Sequence, residues 1–164
     1  MRKTLELIGI LALVALFWMA WGALYGANPL PDRVATHFDA AGNANGWGSP
    51  KGLLLFPLMA AGLYLLMSLV TRFPHAFHYP VRVTPRTVLL LQQVTLDMIA
   101  WLKAELACLF ALLQWAFIQS ARSGDGHLFP KILPFFIATI FGTIGWHWIA
   151  MFRAARPGAD SPLA

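Results

Sequence analysis

Four apolar stretches, 5–25, 53–70, 102–120 and 132–152, leave this chain little freedom to be anything other than membrane-embedded helix. Each is close to the roughly 20 residues that a helix needs to cross a hydrocarbon core about 30 Å thick. Inside lipid the backbone must satisfy its own N–H and C=O groups, and within a single short span only a helix does so. Composition points the same way: 59% of the 164 residues are hydrophobic and 12% charged, where a soluble domain is about a quarter charged. The sequence therefore predicts an all-α membrane protein, one domain over 1–155 with four transmembrane helices, followed by a disordered tail at 156–164.

The placement of charge orients such a bundle. With the N-terminus inside, the inner segments hold Arg2, Lys3, Arg72, Arg82, Arg86, Arg153 and Arg156, and the outer loops hold Arg33, Lys51, Arg122 and Lys131. Lys and Arg concentrate on the cytoplasmic side, so both termini are expected to be cytoplasmic, in a bacterial inner membrane. Arg2 and Lys3 ahead of an apolar run resemble a signal peptide, but Trp18 and Trp21 near the far end suit an uncleaved anchor better. No basic stripe interleaved with aromatics appears, which argues against nucleic acid as a partner. The single cysteine, Cys108, lies in mid-span and reads as a small packed residue.

Between the second and third spans, "TRFPHAFHYPVRVTPRT" holds three prolines and predicts an extended connector. His75 and His78 sit three apart there, but Pro74 and Pro80 discourage the helix that would let them share a metal. Thr84 and Pro85 then make a helix start, and the helix is expected to run to about Ser120, longer than the bilayer core is thick. Within it Ala100, Lys103, Ala107, Ala111 and Gln114 share a face suited to close packing. Glu105, about 200° from Lys103, lies on another. The pairs Gly22 with Gly26 and Ala138 with Gly142 offer further close-packing seams. Charged residues at membrane depth are functional candidates by default. Lys103, Glu105, Gln114 and His147 thus form a possible intramembrane polar site, with snorkelling or structural pairing as the plainer reading of Lys103 and Glu105.

The longest polar connection contains "LPDRVATHFDAAGNANGWGSPKG". Pro29 and Pro31 break the exit of the first span. Residues 32–36 suit a single helical turn, His37 to Asp39 an extended segment, and Gly42, Asn43, Asn45 and Gly46 tight turns. Phe38 and Trp47 are apolar plugs that can cap the bundle or dip into the interface. His37 and Asp39, two apart, share a face if extended, and so offer two ligands to a metal. A structural cap, a recognition surface and a metal or catalytic site are all consistent with this composition.

These residues carry a resemblance. The stretch and the following "LLLFPLM" resemble the bacterial membrane domain of unknown function 1648, the N-terminal domain of SdpI-like immunity proteins. The match rests on Pro31, His37, Phe38, Asp39, Gly42, Gly46, Trp47, Ser49, Lys51 and Pro57, with a weaker echo at Tyr79 and Pro80. The resemblance implies a structured extracytoplasmic loop between helices 1 and 2 that recognises a membrane-active peptide, a lipid or an envelope partner without catalysis. His37 and Asp39 would orient this loop and Lys51 would sit at headgroup level. Two other classes remain open: a small-solute or proton carrier using the intramembrane polar residues, and a metal-dependent enzyme using His37, Asp39 and a third ligand such as Asp125 or His127. Nucleotide-binding loops, Ser-His-Asp signatures and zincin motifs are absent from the sequence, and no cofactor is expected.

Overall fold

A computed structural model describes residues 1–124 and 132–156. Helix α1, Arg2–Tyr25, leads to a hairpin of β1, Val34–Phe38, and β2, Ala44–Gly48. A 3₁₀ turn at Pro50–Leu54 then opens α2, Leu55–Val70, and after the connector come α3, Val88–Ser123, and α4, Ile132–Ala154. Among the described residues three helical segments are long and apolar enough to cross a membrane: Arg2–Tyr25, Pro50–Val70 and Leu133–Ala154. The third predicted span lies in α3, which is not one of these three and which carries Asp97, Lys103 and Glu105 along its 36 residues.

The exposed surface identifies the solvent. On α1 only Leu5, Gly9, Leu16, Ala20 and Ala23 are buried, a stripe at helical spacing. Leu7, Ile10, Leu11, Val14, Phe17, Trp18 and Trp21 face outward. Such an apolar belt is untenable in water and is what lipid requires. This is a membrane protein.

Helix α3 is the hub, packing against α1, α2 and α4. The small residues Ala100, Ala104 and Ala107 are buried, so backbones approach closely where lipid offers no hydrophobic drive for association. Of the face expected from helical spacing, Ala100, Lys103, Ala107 and Gln114 are buried and Ala111 is half-buried. By contrast, a side chain added at Gly22 or Gly142 would meet nothing, so those two seams do not form among the described residues. Helix α3 also starts later than Thr84. Thr84 and Thr87 exchange side-chain-to-backbone bonds of 3.0 and 3.2 Å, which ties residues 84–87 into a turn ahead of the helix.

The all-α expectation needs one correction. Residues 32–36 are not a helical turn, because β1 begins at Val34 and pairs antiparallel with β2, Val34 opposite Gly48 and Phe38 opposite Ala44. Val34 and Ala35 are buried while Thr36 and His37 are exposed. β-branched Val34 is thus spent on docking the strand rather than on a helix. The hairpin sits on one end of the bundle, where Ala20, Ala23, Leu30, Val34, Leu53, Phe117 and Ile118 form the larger core cluster. Leu5, Ala100 and Ala104 form a second cluster toward the other end. The start of α1 and the end of α4 both lie at that other end.

Candidate functional site

The hairpin turn is built by one carboxylate. Asp39 Oδ1 accepts the backbone N–H groups of Ala41 and Asn43, both at 2.9 Å, and Oδ2 accepts the Asn43 side-chain amide at 3.2 Å. The Gly42 N–H donates to the Asp39 carbonyl at 2.9 Å. Gly42 holds φ at 89°, a backbone state that other residues resist. Across the strands, His37 Nδ1 donates to Asn45 Oδ1. A Cβ at Gly46 would stand 2.9 Å from the His37 Cβ, so the two strands meet closely only with glycine there. Pro31 and Lys51 are exposed at the two ends of the island, and the Ser49 hydroxyl accepts the Lys51 N–H at 3.3 Å to cap the 3₁₀ turn.

These bonds hold the Asp39 carboxyl below its usual value of 3.8, the Asn43 backbone N–H contributing most. Because the folded-state value is depressed, the stabilisation is fully present above the ordinary aspartate range and is lost as pH falls through the lowered value. Protection of the Ala41 and Asn43 amides against hydrogen exchange, taken relative to their intrinsic rates at each pH, is expected to fall as the native protein is acidified through the lowered Asp39 value. In Asp39→Ala that protection should be low at every pH. Unchanged protection in that variant would mean the strands hold the turn without the carboxylate.

The hairpin's inner side is apolar. Phe38 meets Phe117 edge-on at 6.4 Å between ring centroids, and Phe56 tilts against Phe117 at 6.0 Å. Between hairpin, α2 and α3 lies a cavity of about 380 Å³, walled by Phe38, Phe56, Met59, Phe110, Leu113 and Phe117 among others. Trp47 does not plug the bundle; it is 52% exposed on the hairpin's outer side. Phe38 alone takes the capping role.

The metal reading loses its carboxylate, since both Asp39 oxygens are engaged in the turn. Among the described residues no three potential metal ligands gather, at His37 or beside His75 and His78. Asp125 and His127 lie outside the described residues, as do Lys131 and the tail from 157 onward.

The four intramembrane polar residues do not form one site. Lys103, only 4% exposed, pairs with Glu6 at 2.5 Å and donates to the Ser68 hydroxyl at 3.1 Å. Its ammonium also stands 4.7 Å from the centroid of the Tyr64 ring. The Tyr64 hydroxyl closes the loop by donating to Glu6 Oε2 at 2.5 Å. Lys103 therefore pairs inside the bundle rather than snorkelling, and the network joins α1, α2 and α3. Gln114 sits three turns further along α3, fully buried, donating to the Leu16 carbonyl at 2.7 Å. Glu105 and His147 do come together, on the α4 side: Thr143 donates to Glu105 Oε1 at 2.5 Å, and the same residue's carbonyl meets His147 Nδ1 at 2.7 Å. Glu6, Tyr64, Ser68 and Thr143 were not singled out from the sequence. Glu6 was detectable as the lone acid in the first span, at a depth matching Lys103 on an antiparallel helix. The serine, threonine and tyrosine carry no such signal.

Fold and surface together define a helical membrane protein whose first two helices are joined by a hairpin packed on one end of the bundle. The family model described as Domain of unknown function (DUF1648) matches residues 8–61, which run from α1 through the hairpin into α2. Helices α3 and α4 lie beyond the matched residues. No curated protein and no solved structure matches the chain.

Proposed function

We propose that this is a four-span protein of the bacterial inner membrane, both termini cytoplasmic, whose outward-facing hairpin recognises the apolar chain of a membrane-active peptide, a lipid or an envelope partner. No catalysis is involved. Helix α3 packs against three helices that are each apolar enough to span, and so shares their depth. The excess of Arg and Lys expected at the end opposite the hairpin supports this orientation.

The observation that carries the reading is the cavity of about 380 Å³ beneath the hairpin, walled by four phenylalanines and a methionine. Preformed apolar cavities of this size are where apolar ligand groups bind. Exposed Trp47 supplies an aromatic contact beside it, and Lys51 a cation at headgroup level. The resemblance of the hairpin and its flanks to the N-terminal domain of immunity proteins favours a partner arriving from the outer side.

A photo-crosslinking side chain at exposed Asn45, activated in living cells, is expected to give a discrete peptide, lipid or envelope-protein adduct. Filling the cavity by Phe110→Trp should abolish it. Folded protein that yields no adduct at Asn45 or Trp47 would leave the hairpin as a structural lid and end this reading.

A further inference from the structure

Charge is balanced unevenly inside the bundle. Arg2 pairs with Asp97 at 2.8 Å and Lys103 with Glu6 at 2.5 Å. Glu105 belongs to no ion pair among the described residues. Its Oε1 accepts the Thr143 hydroxyl, while Oε2 is closed off from solvent and accepts nothing among them. A carboxylate at this depth calls for a cation, a proton or a further donor.

The space beside it suits a cation. A cavity of about 460 Å³ between α3 and α4 is lined by Trp101, Glu105, Thr139, Thr143, Trp146 and His147, with Met1 at its edge. His147 is 7% exposed. Because its Nδ1 faces a carbonyl oxygen, which can only accept, Nδ1 is the donor there, and in that tautomer Nε2 is an acceptor. Among the described residues no lysine or arginine side chain lines the cavity, and the carboxylate of Glu105 disfavours an anion there. Two indoles, by contrast, offer the aromatic faces that attract a cation most strongly. A proton alone would neutralise Glu105 but makes no use of the cavity or of its tryptophans.

We propose that this cavity binds a small organic amine in its protonated form. The ammonium engages Glu105, whose carboxylate turns its covered Oε2 toward the cavity on binding, the Trp101 and Trp146 rings flank it, and His147 accepts a second N–H. Lys103 and Gln114 take no part, being engaged on the α1 side of α3. The site is separate from the hairpin cavity and stands or falls independently of it.

The test uses the full chain in phosphatidylcholine nanodiscs with phenethylammonium as probe, followed by tryptophan fluorescence and titration calorimetry. Saturable one-site binding is expected, with 2-phenylethanol, of the same shape but uncharged, failing to compete. Glu105→Gln keeps an oxygen for the Thr143 hydroxyl and should weaken binding about tenfold or more. Trp146→Leu, at a side chain 66% exposed and therefore tolerant of change, should weaken it several-fold. Absence of saturable binding, equal binding of the alcohol, or undiminished binding by a folded Glu105→Gln protein would each overturn the proposal. If Glu105→Gln failed to fold, the amine-against-alcohol comparison on the native protein and the Trp146→Leu result would decide.

Discussion

Lys103→Met is expected to destabilise the bundle by about 3 kcal/mol, measured as a shift in denaturant or thermal unfolding of the detergent-solubilised protein. Removing one partner of a buried pair leaves the other charge uncompensated, at a cost of about 3–5 kcal/mol. The lower end applies because the Glu6 side chain retains 39% of its exposure. The loss also reaches further than the pair. Ser68 and Tyr64 are held by the same two charges, and the Tyr64 ring lies so close to α1 that a Cβ at Gly9 would come within 2.6 Å of it. Helices α1, α2 and α3 should therefore loosen together. Adding Glu6→Gln to Lys103→Met removes the stranded charge and should recover about half the loss or more, because replacing both partners of such a pair is often nearly neutral. A double variant as unstable as Lys103→Met alone would show that methionine cannot fill the lysine's place, and that packing rather than charge carries the effect.

Burial of Ala100, Lys103, Ala107 and Gln114 followed from helical spacing, because small and polar residues in lipid gain only by facing protein. The helical turn expected at 32–36 failed because Val34 is held by the core under the hairpin, a tertiary contact with Leu30, Leu53 and Phe117 that no local pattern announces. His37 and Asp39, which alternation along a strand would put on one face, hydrogen-bond to different partners. A turn with Asn43 four residues on satisfies the carboxylate locally, while His37 reaches across to Asn45. Lys103 and Glu105 lie about 200° apart on α3, and that separation sends them to different neighbours, Glu6 and Thr143. The hydroxyls of Tyr64, Ser68 and Thr143 became visible only once the partner helices were in place.

The deepest dependence of hairpin on bundle runs through Phe117. It is 6% exposed, meets both Phe38 and Phe56, and belongs to the core cluster that includes Val34 of β1. Phe117→Ala is expected to cost about 3 kcal/mol, near the bottom of the range for a buried aromatic. One flank of the ring already borders the 380 Å³ cavity and has fewer contacts to lose. In lipid the loss is of close packing rather than of hydrophobic drive, since alkyl chains are as apolar as the core they replace. Phe110 also lines the cavity but stands outside the core cluster and is only half-buried. Phe110→Ala should therefore cost much less. The two variants separate the hairpin's footing from the cavity's volume: hydrogen exchange across Val34–Phe38 should rise sharply in Phe117→Ala and little in Phe110→Ala. Strands that stayed protected in Phe117→Ala while the helices lost stability would mean the hairpin is anchored by Leu30 and Leu53 alone. The cavity beneath it would then no longer be coupled to the surface that meets a partner.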